Sequence, residues 1–299
     1  MPNTRTYLQA LTKLEDKYQP KILAQIKAFR KAFIEQYKGN PSIAAQQLHL
    51  PHVHAGLAEL LQAMYSEAGV FGAALTTREL KASAGRKGGG FGRNQRWIDA
   101  VNAFLKKHLL NLVQKISETM RQDILRVLQK AVDESLSINE TVKEMEREDL
   151  MIARSRVIAR TELVRASNVG HAVAAQDTPY EVNKKWSAAR DHRTRHSHRD
   201  INGHTVDELD TFPVPVYDGQ NIVGTDNMQY PGDASAHPSN TINCRCRVLY
   251  EPKRDSEGNL IMRRNATAAT VVPMHRTTTH TFEQIAAQLK ARIVMITEP

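Results

Sequence analysis

The stretch that most constrains the fold runs from Asn94 to about Ser135, where apolar side chains recur every three or four residues without a glycine or a proline. This spacing places them on one face of a helix. They are Trp97, Val101, Leu105, Leu109, Leu112, Ile116, Met120, Ile124, Val127 and Ala131. At a rise of 1.5 Å per residue, such a helix is on the order of 60 Å long. The sequence therefore predicts one long, uninterrupted helix.

Two helices are predicted before it. Residues 7–38 carry the apolar residues Ile22, Ile26, Phe29, Phe33 and Tyr37 at helical spacing. Pro20 is expected to kink or restart this helix, because proline removes a backbone donor. Residues 53–75 also show the helical pattern, which begins after Pro51 and is lost before Thr76. We expect the two helices to pack together.

Two more helices are predicted after it. Ser137 followed by Glu140 fits a capping box, which opens a short acidic helix to about Asp149. Another helix follows from about Met151 to Ala175. The first 175 residues are therefore expected to be largely helical.

The composition changes after Ala175, where Gly, Pro, Asn, Asp and His accumulate and apolar residues fall into short runs. Such runs between turn-forming residues are typical of short strands joined by long loops. They cover residues 180–186, 212–217, 221–223 and 244–250. The predicted fold class is α+β, with an elongated helical N-terminal half followed by a small loop-rich α+β domain with short antiparallel strands.

Three regions are predicted along the chain. Residues 1–136 form a helical domain with a basic face, residues 137–250 a loop-rich domain, and residues 251–299 a C-terminal tail. The tail contains a candidate short helix from Phe282 to Ile293. No run of about 18 apolar residues is present, so we expect no transmembrane helix. The first thirty residues lack the apolar stretch of a secretory signal, so we expect no export.

The net charge of +9 is unevenly distributed. From Lys81 to Lys130 there are eleven Lys or Arg residues against three acidic ones, an excess of eight. The glycine-rich segment 85–93 lies in this block and is expected to be a flexible basic loop. A concentration of positive charge favours contact with phosphates or with an acidic protein surface. The candidate DNA-binding residues are Arg86, Lys87, Arg93 and Arg96.

Two cysteines and a group of histidines are the candidate metal ligands. Cys244 and Cys246 are one residue apart, and in a strand this spacing gives poor disulfide geometry. Free thiols suit a reducing compartment. Zinc prefers four nitrogen or sulfur ligands, usually as two spaced pairs. His196-x-His198 and Cys244-x-Cys246 supply two such pairs. The candidate ligands are His198, Cys244 and Cys246, with zinc as the candidate cofactor. The alternative is histidines in solvated loops and two buried thiols without metal.

The predicted helix over 151–175 carries Arg160 and Glu162 two residues apart, a spacing at which they cannot meet on one face. Each must therefore find a partner elsewhere. An arginine in such a position is expected to hold a carboxylate or loop carbonyls in place rather than to act in catalysis.

Taken together, these features resemble the Mu F-like family of phage minor head proteins over about residues 139–250. The matching motifs, in order, are Ala159-Arg160-Thr161-Glu162, Lys185-Trp186, Asp191-x-Arg193-Thr194-Arg195-x-x-His198, Asn202-Gly203, Phe212, Tyr230-Pro231-Gly232-Asp233 and Ile242-Asn243-Cys244-Arg245-Cys246. The resemblance implies a non-enzymatic, low-copy protein of the phage head. It implies association with the portal protein and a role in head assembly and in DNA packaging or delivery.

The resemblance also implies partners and a location. The partners are the portal protein, packaged double-stranded DNA and either a scaffold or the major capsid protein, with no membrane. The protein would be assembled in the host cytoplasm and lie inside the capsid near the portal. Some members carry cysteines at the positions of Arg195 and His198, which would complete a four-ligand metal site. Since Arg195 departs from that pattern, a fourth ligand would have to come from His196, His204 or Asp191.

Two alternatives remain open at this point. A metal-dependent nuclease could use Asp191 and the histidines from His192 to His204 to activate water. Such sites need paired carboxylates or a tight ligand set with an open position, which the spacing here does not favour. A nucleic-acid-binding protein could use the basic block without sequence preference, although no known DNA-reading motif accompanies it.

Overall fold

The computed structural model describes residues 4–39, 51–85 and 95–263, without the side chains of residues 51–54. These residues divide into two compact units. The first unit comprises residues 4–16, 63–85, 95–105 and 160–263, and the second comprises 17–39, 51–62 and 106–159. The domain boundaries predicted after residues 136 and 250 stay predictions. Most of the basic loop and the helix predicted over 282–293 lie outside the described residues.

Three long helices come first: α1 (Thr4–Gly39), α2 (Pro51–Ser83) and α3 (Gln95–Asp133). The apolar face predicted for α3 is buried along its whole length, as is the face predicted for α1. α1 continues through Pro20 as one helix. The predicted end of α2 before Thr76 was wrong, because Thr76 and Leu80 are both buried and the helix continues.

The short helix α4 (Ile138–Met145) begins at the predicted capping box. The Ser137 hydroxyl accepts a hydrogen bond from the Glu140 backbone N–H, and the Glu140 carboxylate accepts one from the Ser137 N–H. Helix α5 (Glu148–Gln176) follows and begins three residues before the predicted start. In the second unit, Arg154 of α5 donates two 2.8 Å hydrogen bonds to Asp123 of α3.

Helices α2 and α5 contact each other through their backbones. A Cβ atom built on Gly170 would lie 1.8 Å from the carbonyl oxygen of Gly69, and one on Gly72 would lie 2.1 Å from that of Ser167. Only glycine permits such a close approach. The predicted packing of α1 on α2 is confirmed by a buried cluster that contains Tyr7 and Leu75.

The strands form two antiparallel sheets. Strands β1 (Val182–Ser187), β2 (Thr205–Asp207) and β5 (Arg247–Pro252) make one sheet with β1 in the centre. Strands β3 (Phe212–Asp218) and β4 (Asn221–Met228) pair as a hairpin. Alternate residues of β1 are buried, and Trp186 on the buried face contacts Phe212 edge to face.

The long helices followed by short antiparallel strands confirm the predicted α+β class. β2, α6 (His196–Asp200) and α7 (Pro238–Thr241) were not predicted, since each has at most five residues. β4 is longer and β5 starts later than predicted, so the two cysteines precede β5 instead of lying in it. None of the described helices has the length and apolar character needed to span a membrane.

Candidate functional site

Three of the predicted ligands meet at the start of β5. Cys244 Sγ lies 3.6 Å and Cys246 Sγ 3.4 Å from Nδ1 of His198, which α6 carries. All three side chains are buried. The backbone N–H of Cys246 donates to Cys244 Sγ at 3.4 Å, so a tight turn holds both sulfurs on the same side. The structure therefore brings together the residues predicted as metal ligands.

The arrangement fits three positions of a tetrahedral zinc site. With zinc bonds of about 2.3 Å to sulfur and about 2.05 Å to nitrogen, neighbouring sulfur and nitrogen ligands are about 3.6 Å apart. The two sulfur–nitrogen distances match this value. Nε2 of His198 is buried, and no described residue offers it a hydrogen bond. The distances therefore fit three of the four positions of a tetrahedral zinc site, whereas the second nitrogen of His198 lacks, among the described residues, the hydrogen-bond partner that a metal-bound histidine usually has.

Of the two thiols, Cys244 ionises more readily than Cys246. The hydrogen bond from Cys246 lowers the pKa of Cys244 well below its ordinary value, and the same bond raises the pKa of Cys246. The positive potential of His198 also favours the Cys244 thiolate. A thiolate is the form of cysteine that binds metal.

The side chains proposed for a fourth ligand have other partners or lie outside this cluster. Among the described His, Cys, Asp and Glu residues, the grouping of potential ligands contains only His198, Cys244 and Cys246. Asp191 binds Arg245, and His196 lies 2.9 Å from Asp200. Arg195 donates instead to the carbonyl oxygen of Ile242. His204 is exposed, and its backbone carbonyl accepts from Trp186.

Arg160, Thr161 and Glu162 each find a partner outside their own helix turn. Arg160 donates to both carboxylate oxygens of Glu15, at 3.0 and 2.6 Å, and to the side-chain oxygen of Asn243 at 2.7 Å. The Thr161 hydroxyl accepts from the Asn243 backbone at 2.8 Å. Arg160 therefore contacts both a carboxylate and a loop side chain, the kind of partner expected from its place in the sequence.

Glu162 belongs to a buried polar cluster. Its carboxylate accepts from the Tyr65 hydroxyl at 2.9 Å and forms an ion pair with Arg165. Arg165 also donates to the carbonyl oxygen of Gly232 at 2.8 Å. Gly232 has a φ of +82° and lies against the Arg165 backbone, so a side chain there would be strained. The motif around Pro231 and Gly232 is thus held against α5.

Asn168 was missed by the sequence analysis, although it links three segments. Its amide nitrogen donates to the carbonyl oxygens of Val164, Pro231 and Cys246 at 3.1, 2.9 and 3.1 Å. Its side-chain oxygen accepts from the Val248 backbone at 2.9 Å. An asparagine in a helix usually faces solvent, but Ala166, Ser167 and Gly170 are small residues that signal a close contact here.

The Asp191 segment forms a compact turn. Asp191 accepts from the Arg193 backbone at 3.0 Å and from the Thr194 hydroxyl at 3.2 Å. Arg245 donates to both of its carboxylate oxygens. The Arg245 hydrogen bond is the largest cause that lowers the pKa of Asp191 to about 2. This turn joins the loop after β1 to the cysteine segment.

The remaining motif residues support the sheet and its loops. Trp186 exchanges backbone hydrogen bonds with the Gly203–His204 turn, at 2.8 and 2.9 Å. Lys185 lies 3.9 Å from Glu251 on the neighbouring strand. Asp233 accepts from the Gln229 and Ser235 backbones and so closes its own turn. These contacts link the strands and close the turns next to them.

Of the four candidate DNA-binding residues, Arg96 alone is described, and it lies 3.8 Å from Asp177. Arg86, Lys87 and Arg93 lie outside the described residues. Further along α3, Arg121 and Arg126 pair with acidic residues three positions earlier. Part of the positive charge counted from the sequence is therefore balanced within the helix itself.

Comparison with known proteins supports the motif-based resemblance. The family model described as "Phage Mu protein F like protein" matches residues 122–249. The chain is 29% identical over 146 residues to the "Minor head protein GP7" of Bacillus phage SPP1. This alignment covers 46% of the chain, and the chain spans 44% of the length of that relative. No solved structure matches the chain.

Proposed function

We propose that the chain is a minor head protein of a tailed bacteriophage that acts in head morphogenesis, because the family model described as "Phage Mu protein F like protein" matches residues 122–249. The observation that carries the proposal is the family match, together with the relative named as a minor head protein. The matched range contains Arg160, Asp191 and Cys244, whose hydrogen bonds are described above.

The finer proposal is that the protein enters the head beside the portal protein and acts in DNA packaging or delivery. A scaffold or the major capsid protein is a further candidate partner. The relative named as a minor head protein supports this proposal. The apolar faces of α1 and α3 do not contribute to it, because both are buried within the chain. Assembly would take place in the host cytoplasm, and the mature location would be inside the capsid near the portal.

Deletion of the gene in a phage tests the head assignment. We expect capsids of normal size, because a low-copy protein does not build the shell, and a loss of infectivity through defective packaging or DNA delivery. Particle imaging of a labelled chain should place it at one vertex. A label spread over the whole shell, or absence from purified particles, would overturn the portal-associated assignment.

Contact with packaged DNA is a second part of the proposal. Phosphate neutralisation by Lys and Arg needs no base contacts, so binding to duplex DNA should be independent of sequence and should weaken steeply with salt. Reversing the charges of Arg86, Lys87, Arg93 and Arg96 should lower the affinity and reduce the salt dependence. The matched control compares reversal of two loop residues, Arg86 and Lys87, with reversal of Arg121 and Arg126, which are paired within α3. Equal effects of the two sets would argue against a DNA contact at the basic loop.

We also propose that His198, Cys244 and Cys246 hold zinc in a structural role. Bound zinc would link α6 to the segment before β5. The burial of all three ligands favours such a role over a nuclease, whose metal must be reached by DNA. Metal analysis should find about one zinc per chain, and both a chelator and Cys244→Ser should lower the melting temperature. Much less than one zinc per chain, with melting unaffected by chelator, would favour a metal-free hydrogen-bonded cluster.

A further inference from the structure

A small cleft in the first unit is not used by the proposed function. It has a volume of about 110 Å³ and lies between α1, α5 and the two loops that carry Arg193 and Arg245. Part of its lining is aliphatic: Leu8 is partly buried, whereas Leu11 and Leu163 are buried. A cavity of about 150 Å³ lined by such residues can hold a benzene ring, so this cleft has room for one aliphatic side chain.

The charged side chains of the cleft leave one positive charge unbalanced. Arg160 is paired with Glu15, which also lines the cleft, and Arg245 is paired with Asp191. Arg193 is exposed, and its guanidinium has no ion pair among the described residues. The hydrogen bond from the Arg193 backbone to Asp191 fixes the start of this side chain beside the cleft. A guanidinium without an ion pair among the described residues therefore lies beside a partly aliphatic cleft.

We propose that this cleft binds an acidic side chain of a protein partner, presented beside an aliphatic residue. A guanidinium binds a carboxylate through two parallel hydrogen bonds, and an aliphatic group in the cleft would cover the exposed part of Leu8. A DNA phosphate would satisfy Arg193 but would leave this part of Leu8 uncovered. The chemistry of the cleft therefore favours a protein over DNA as its occupant.

The test uses the purified full-length chain and small probes, so it is independent of head assembly. The first probe is 4-methylpentanoate, which joins a leucine-like group to a carboxylate. The second is its neutral amide, and the third is inorganic phosphate. Nuclear magnetic resonance of labelled leucine methyl groups should show saturable shifts of Leu8 and Leu163 with the carboxylate, and weaker binding of both other probes.

Arg193→Gln should weaken carboxylate binding by roughly threefold to tenfold, a range set by the exposure of the guanidinium. Arg193→Lys should retain part of the affinity, because it keeps the charge but loses the planar pair of donors. Arg199→Gln removes an exposed arginine of α6 outside the cleft and should change nothing. The proposal is overturned if the amide binds as well as the carboxylate, if phosphate binds as tightly in an Arg193-dependent way, or if no probe saturates. Those outcomes would leave the head-protein proposal standing.

Discussion

Two regions of the first unit are stabilised in opposite ways. One is the contact between α2 and α5, and the other is the set of loops between β1 and β5. At the helix contact, Gly69 and Gly170 let two backbones touch, and the essential feature is a missing side chain. In the loops, side chains supply the hydrogen bonds, because irregular backbone leaves carbonyl and N–H groups without secondary-structure partners. Arg165, Asn168 and Arg195 bind the carbonyl oxygens of Gly232, Pro231 and Ile242.

The two regions therefore differ in the amino-acid substitutions that they tolerate. A close helix contact is sensitive to added volume, whereas a polar network is sensitive to the loss or reversal of a donor. Both regions share α5, which presents its small residues to α2 and its polar residues to the loops. Substitutions on this one helix can therefore separate the two kinds of stabilisation.

The largest loss of folding stability is expected for Asn168→Asp. The substitution keeps the size of the side chain but replaces a donor to three carbonyl oxygens with a carboxylate oxygen. Placing a buried negative charge against these oxygens should lower the free energy of unfolding by about 4 kcal/mol at neutral pH. Chemical denaturation followed by circular dichroism measures this change. Asn227→Asp, on the exposed side of β4, is the matched control and should change stability by less than about 0.5 kcal/mol.

A somewhat smaller loss of folding stability is expected for Gly170→Ala. The new methyl group would meet the Gly69 backbone, which cannot rotate away, so the helices must separate. We expect a loss of about 3 kcal/mol. Gly224→Ala in β4 adds the same methyl group into open space and should be close to neutral. If both alanine variants were equally stable, the close approach of α2 and α5 would be contradicted.

The helical part of the fold could be predicted because its signals are local. The spacing of apolar residues in α3 and the capping box before α4 were sufficient. The end of α2 could not be predicted, because the polar residues Thr76 and Thr77 interrupt the apolar spacing although the helix continues to Ser83. In the fold, the Thr76 hydroxyl lies 2.7 Å from His171 of α5, a partner 95 positions away. Such a contact leaves no local signal.

In the candidate site, too, local sequence signals could be predicted and distant contacts could not. The motifs identified Arg160, Asp191 and the metal-ligand candidates, but a motif does not state which partner each side chain binds. Glu15 and Asn168 were missed, because their roles depend on contacts with distant segments. Lys184 was missed too: it is buried in β1, donates to Gln229, and has its pKa lowered by burial to about 8. Buried polar residues of this kind are defined by tertiary structure alone.

The smallest effect is expected for Asp191→Asn, which keeps the shape of the Asp191 turn but removes its charge. Hydrogen bonding to Arg245 lowers the pKa of Asp191 from 3.8 to about 2. A carboxyl group with a lowered pKa stabilises the fold fully above its unfolded pKa and loses that contribution as the pH falls through its folded pKa. Since the side chain is 33% exposed, solvent screening limits the contribution to about 1 kcal/mol at neutral pH.

The pH dependence separates this charge effect from a loss of packing. Unfolding of the parent and of Asp191→Asn should be measured at about pH 7 and at steps from about pH 4 to about pH 2, where the difference between them should shrink as Asp191 becomes protonated. Asp218→Asn, at the exposed end of β3, provides the control for a change of net charge. If the difference in unfolding free energy stayed constant over this range, the Asp191–Arg245 pair would stabilise the loop through its shape and not through its charge. The turn would then depend on packing, as the α2–α5 contact does, and not on charged hydrogen bonds.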